Sequence, residues 1–303
     1  MLRNSRLAQA LTGNAYALLT LVMLFWGGNT IAGRLAVGEV SPMAIVTLRW
    51  LIVCALLLAI RREAFSEVIG LIKARPVYVA VMGTFGFTGF NVLFYIAAYH
   101  TTALNIGIIQ GSIPVFVLVA SFLALRVPIR AVQLFGIGLT AIGVALIAGQ
   151  GDLARLAGLS VNFGDALMLV ACAFYGAYTV GLRQRPSVSG LTFFTALALA
   201  ALVSSLPMFA FEIASGHGRW PTTNGWLIIL YISLFPSLLA QIWFMRGVEL
   251  IGPSRAGVFV NLVPGFAALL AVGILGERFA WYHGAGLALV LGGIWLSERT
   301  RIR

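Results

Sequence analysis

The chain says nearly the same thing twice. Phe25, Gly27, Thr30 and Arg34 return 149 residues later as Phe174, Gly176, Thr179 and Arg183. Phe94, Gly107, Pro114, Phe116, Gly136 and Gly143 return 150 residues later as Phe244, Gly257, Pro264, Phe266, Gly286 and Gly293. Both registers lie inside long apolar segments, and a duplicated set of membrane helices encloses a site between its two halves. The register divides the chain into residues 1–150 and 151–303, joined by the Gly/polar stretch Gln150–Val161.

Composition fixes the solvent. Of 303 residues 60% are hydrophobic and 10% charged, and the mean hydropathy is +0.99. Soluble domains carry roughly a quarter charged residues, so lipid is the expected surroundings. The net charge of +11 sits in short loops, with no basic patch of the kind that grips nucleic acid. Cys54 and Cys172 fall in apolar segments and read as small hydrophobes. Arg3 and Arg6 precede an apolar run that is too long for a signal peptide and belongs to the repeat.

Ten segments have the roughly 20 apolar residues a spanning helix needs. They are Ala15–Arg34, Pro42–Ile60, Val77–Tyr99, Ala103–Leu125, Ala131–Gly149, Phe163–Leu182, Leu191–Phe211, Trp226–Gly247, Ser254–Leu275 and Trp281–Ser297. The expected fold is all-α integral membrane, five helices to each half. Of the 20 Lys and Arg, 15 fall in loops on one side, among them Lys73, Arg126, Arg183, Arg185, Arg246 and Arg255, and four (Arg34, Arg155, Arg219 and Arg278) on the other. This bias places both termini in the cytoplasm. Because five is odd, the second repeat enters from the opposite face and is inverted relative to the first.

Polar groups in hydrocarbon face a cavity or another helix. Trp26 and Asn29 share a face of the first helix, and their counterparts in the sixth are Tyr175 and Tyr178. Asn91, Tyr95 and Tyr99 form a stripe on the third helix. The counterpart of Asn91 is Gln241, near Trp243 in the eighth; the fourth and ninth contribute Gln110 and Asn261. These eleven residues are the candidate substrate site: neutral donors and acceptors with aromatic faces, suited to a zwitterion with an apolar side chain. The alternative reading places the rings in interfacial belts and the amides in helix–helix bonds. Arg49 lies about 12 Å along the second helix, either as a structural cation bonded to backbone carbonyls or snorkelling, or as a ligand for a substrate carboxylate. Pro114 and Pro264 occupy matched places, where a missing N–H kinks a helix and offers paired gating points. Gly83, Gly86, Gly89, Gly107 and Gly111 read as close-packing positions. Asp165 and Glu277 lie near helix ends and read as structural, and His100 as interfacial.

Pro42, Arg49, the Gly164-Asp165 pair, Pro264, and Gly276-Glu277 with Gly286 and Gly293 resemble the EamA-type branch of the drug/metabolite transporter superfamily. The resemblance covers almost the whole chain. It implies ten helices, two inverted repeats and a central cavity opening alternately to each side. Within the family the likeness is to bacterial amino-acid exporters, the aromatic amino-acid exporters among them. The chain departs near Val127, where the carboxylate kept as Glu277 in the second half is missing.

The expected function is export of small metabolites, amino acids including aromatic ones, across the bacterial inner membrane. Multidrug or other neutral-metabolite export is the alternative. Small multidrug members of the superfamily carry a carboxylate in the first helix; here the stretch is Phe25-Trp26-Gly27-Gly28-Asn29-Thr30. Sugar-phosphate exchange calls for several deep cations, and only Arg49 qualifies. An enzyme acting on lipids calls for clustered acids, His or metal ligands, which three scattered histidines do not supply; a non-transporting sensor is the remaining possibility. No cofactor, metal or nucleic acid is expected. The partners are a small-molecule substrate and the lipid bilayer, and a two-repeat chain can complete its pathway as a monomer.

Overall fold

The computed structural model describes residues 14–60, 65–152 and 162–299. Arg3, Arg6, Arg61, Arg62, Arg155, Arg301 and Arg303, and most of the Gln150–Val161 linker, lie outside them. The described residues form helices without a strand. In chain order they are α1 (Ala15–Leu35), α2 (Pro42–Ile60), α3 (Phe65–Ala74), α4 (Pro76–Gly83), α5 (Phe90–His100), α6 (Ala103–Gln110), α7 (Ile113–Leu125), α8 (Ala131–Ala148), α9 (Phe163–Gly181), α10 (Gly190–Ala214), α11 (Thr223–Ile232), α12 (Ala240–Ile251), α13 (Pro253–Phe259), α14 (Val263–Leu275) and α15 (Trp281–Arg299).

Several of these are halves of one rod. A π-helical stretch, Thr84–Gly89, joins α4 to α5, and a second, Ser233–Leu239, joins α11 to α12. A 3-10 turn, Val260–Leu262, joins α13 to α14. Among the described residues eight helices are then long and apolar enough to cross a membrane, and nine if α6 and α7, bent by 40° at Gly111-Ser112, are one span. This is fewer than the ten expected. The remaining segment, α15, is a helix of 19 residues, but its polar start Trp281-Tyr282-His283 and its charged end lower its hydropathy. The basic connection after α2, read from sequence as a loop, contains α3. Its buried Val68 and Leu71 hold it to the bundle, and Glu67 accepts a hydrogen bond from Thr192.

Local chemistry fixes the ends. Asn14, Thr102, Asn162, Ser189 and Thr222 accept N–H groups of the first turns of α1, α6, α9, α10 and α11, satisfying donors that a helix leaves open. Pro114 and Pro264 each fall in the first turn of the segment after a break, because neither can donate to the carbonyl four residues back. α7 and α14 both end on a left-handed residue, Arg126 (φ 54°) and Gly276 (φ 65°). Only the second uses the glycine that this conformation favours.

Packing repeats as the sequence does. α1 packs on α14 and α12, and its counterpart α9 packs on α7 and α5. Gly27 rests on the backbone of Phe266-Ala267, and Gly176 on that of Phe116-Val117. α8 and α15 lie along each other antiparallel, Gly136 against Gly293 and Gly143 against Gly286. Each of these two contacts becomes the other when the halves are exchanged. Gly83, Gly86, Gly89, Gly107 and Gly111 likewise meet Ala200, Tyr178, Phe174, Ala267 and Pro264 where a Cβ would clash. Cys54 and Cys172 are buried free thiols.

Candidate substrate cavity

The breaks converge. Residues from the two π stretches, Gly86, Phe87, Pro236 and Ser237, and from the α6–α7 and α13–α14 breaks, Gly111, Asn261 and Val260, line one small chamber of about 100 Å³. Trp26, Asn29, Arg49, Trp50, Asn91, Gln110, Tyr175 and Gln241 complete its wall with Phe90, Ile113, Val263 and both prolines. A π turn widens the helix and frees backbone groups, which is why such turns gather at sites.

Arg49 dominates its electrostatics. It is 6% exposed. Its Nε donates to Ser237 Oγ at 2.6 Å, and its Nη1 to Asn91 Oδ1 at 2.5 Å and Tyr95 Oη at 3.0 Å. The partners are side chains, neither backbone carbonyls nor an interface reached by snorkelling. Tyr95, fully buried, donates its own O–H to Asn29 Oδ1 at 2.9 Å. Asn91 donates to Phe87 O, and Ser237 to Ile232 O. The Arg49 guanidinium carbon lies 5.0 Å from the centre of the Trp50 ring, which stacks on Phe87. A guanidinium keeps its charge, and α5 and the second π stretch hold this one against α2.

Trp26, Asn29, Asn91, Gln110, Tyr175, Gln241 and Asn261 come together on the chamber wall with Pro114 and Pro264. Trp26 also donates to Pro236 O at 3.1 Å. Tyr95 stands behind the wall as the link between Arg49 and Asn29. Tyr178 lines a wider vestibule. Two candidates lie elsewhere: Trp243 packs against Phe25, and Tyr99 donates to Val40 O near the α1–α2 turn. Sequence reasoning missed Trp50 and Ser237. Ser237 is the repeat counterpart of Phe87, another wall residue, and that register was the signal available.

The vestibule, of about 850 Å³, shares Trp26, Phe87, Ile113, Pro114, Tyr175, Gln241 and Val260 with the chamber. It continues past Tyr178, Phe193, Phe194 and Met245 to Arg185, Ser189, Arg246 and Glu249, the last two an exposed ion pair at 3.0 Å. The other end of the bundle is latched by polar contacts. Ser41 donates to Glu212 at 2.5 Å, Thr222 to Glu39, and Arg219 to Gly38 O. Arg34 reaches Ala98 O at 2.7 Å. Asp165 accepts from Thr101 and Asn105, and His283 contacts Asn105. The Glu277 carboxylate receives the N–H groups of Ala103 and Leu104 at 2.9 and 2.8 Å, so one half of the chain caps a helix of the other.

A sequence model of the EamA-like transporter family matches residues 13–149 and again residues 162–299. The chain belongs to the EamA-like transporter family. Among its relatives are the uncharacterized transporters YetK and YyaM of Bacillus subtilis. YetK is 28% identical over 285 residues, covering 93% of this chain and 86% of that protein. YyaM is 26% identical over 292 residues, covering 93% and 92%. An uncharacterized inner membrane transporter of Escherichia coli, YedA, is 22% identical over 91% of this chain and 88% of its own. A solved crystal structure with 18% sequence identity superposes with a TM-score of 0.64, covering 94% of this chain and 96% of that one, a likeness of fold alone. Membership of this family makes the chain a multi-pass membrane transporter of a small molecule.

Proposed function

We propose that this chain is a secondary exporter of small metabolites, chiefly amino acids including aromatic ones, working by alternating access. In this reading ten helices cross the membrane, α15 among them, as two inverted five-helix repeats, 1–150 and 151–303. Both termini are cytoplasmic, the membrane is the bacterial inner membrane, and one chain is a complete unit. The observation that carries it is the chamber itself. It is walled by matched breaks from both halves, open through a wide vestibule at one end and latched at the other. Antiparallel packing of the equivalent helices α8 and α15 favours inversion, since a twofold axis relating antiparallel rods lies across them. The vestibule carries Arg185 and Arg246, on the side the loop charges assign to the cytoplasm, so the conformation is inward-open.

One cation among neutral polar side chains and aromatic walls suits a zwitterion. A second reading, export of bulkier neutral compounds, draws on the size of the vestibule and its mostly apolar wall. Flux of Phe, Trp, Thr and Met into vesicles carrying the purified protein, at two pH values and against an uncharged drug, separates the two. Saturable amino-acid flux supports the first, and flux of the drug alone the second. A membrane enzyme or sensor moves neither.

A further inference from the structure

The chamber holds three polar groups with no use in the fold. Of the five N–H groups of Arg49, the bonds to Ser237, Asn91 and Tyr95 use three; the two on Nη2 have no partner among the described residues. Trp50 Nε1 and Gln110 Oε1 are buried, and both also lack one. All three residues line the same chamber. Buried polar groups are normally bonded. An unneutralised buried guanidinium is costly unless an anion completes it, and among the described residues no carboxylate lies within ion-pair distance of Arg49. Two donors, one of them cationic, and an acceptor carried by residues of one chamber wall are the complement of a carboxylate next to an ammonium.

We propose that Arg49 Nη2 and Trp50 Nε1 hold the substrate's carboxylate and Gln110 Oε1 its ammonium, so that this chamber reads the α-amino-acid head group. The proposal rests on the transporter reading and deepens it. The chamber, at about 100 Å³, suits a head group. The vestibule, about 850 Å³ and sharing Trp26, Phe87 and Tyr175 with the chamber, takes the side chain. Selection is therefore strict at the head group and permissive beyond it. The neutral acceptors Asn91, Tyr95 and Ser237 orient the guanidinium without cancelling its charge, which leaves it available to an incoming anion.

The test uses the purified full chain in lipid nanodiscs, with binding of L-phenylalanine, 3-phenylpropionate, phenethylamine and L-phenylalaninamide measured by calorimetry. Expected is binding of the first two, with phenethylamine and the amide weaker by about 10- to 100-fold, the range for a lost hydrogen bond to a charged group. Trp50→Phe keeps the ring on Phe87 and breaks no bond within the protein; it weakens both carboxylates. Gln110→Met removes the advantage of L-phenylalanine over 3-phenylpropionate and leaves the latter unchanged. Arg49→Gln abolishes carboxylate binding, and Arg49→Lys restores part of it. Equal binding of phenethylamine and L-phenylalanine, or wild-type carboxylate affinity in both Trp50→Phe and a folded Arg49→Gln, overturns the assignment. So does failure of every carboxylate to bind. Flux of any panel compound into vesicles in those cases keeps the transporter reading while the docking falls; absence of all flux removes both.

Discussion

At the scale of single residues, the fold is most exposed at Tyr95. Its hydroxyl accepts from Arg49 and donates to Asn29 with no solvent contact. Tyr95→Phe leaves a donor and an acceptor buried and unmet, a loss of about 1–3 kcal/mol, read as a lower midpoint of thermal unfolding in detergent. A midpoint equal to wild type would show that the Asn29–Tyr95–Arg49 chain is dispensable. Trp26 has a different role. It lines both chamber and vestibule, and it bonds only to the carbonyl of Pro236. Trp26→Ala lowers amino-acid flux far more than yield. Undiminished flux would remove Trp26 from the substrate path.

At the scale of elements, two contacts test how the halves meet. α8 and α15 approach closely because glycine faces glycine. A Cβ on Gly143 would meet Gly286 O at 2.8 Å, whereas one on Gly138 would meet nothing. Gly143→Leu therefore destabilises by about 1–3 kcal/mol through overpacking, and Gly138→Leu changes stability by about 0.5 kcal/mol or less. Equal effects would mean that the helices do not pack this way. Glu277 tests the latched end. Glu277→Ala leaves the Thr102 cap but removes the acceptor of the first two N–H groups of α6, at about 1 kcal/mol, and loosens that end. The expected readout is faster labelling by a membrane-impermeant thiol reagent, from that side, of a cysteine placed at the buried Ala103, and unchanged labelling would contradict it. Element boundaries were largely legible, because apolar length and capping residues are local signals. α3 was not, since ten residues with four charged neighbours nearby read as a loop until tertiary contacts bury Val68 and Leu71. Nor were the π stretches: Thr84–Gly89 and Ser233–Leu239 carry no shared residue motif, and only their equal spacing links them.

At the scale of the whole molecule, duplication was the sequence's clearest statement, and the matched breaks and packing pairs follow its register. The lining of the candidate cavity was legible in part. Neutral side chains three or four residues apart on one helix, such as Trp26 with Asn29, fall together because helical geometry alone brings them there. Trp50 and Ser237 stayed hidden because their placement depends on how α2 and the second π stretch pack. Trp243 misled because an aromatic beside a cavity residue can face the opposite way, here onto Phe25. The chamber is latched at one end and continues into the vestibule at the other, with the latching contacts made between residues distant in the chain. Such an arrangement carries substrate only if the latch and the vestibule exchange roles. Trans-stimulation tests that most directly: vesicles reconstituted with the protein are loaded with unlabelled L-phenylalanine, and entry of labelled L-phenylalanine is timed. The account predicts entry several-fold faster than into empty proteoliposomes, as a carrier returning loaded requires. Entry no faster than into protein-free vesicles, loaded or empty, would contradict it.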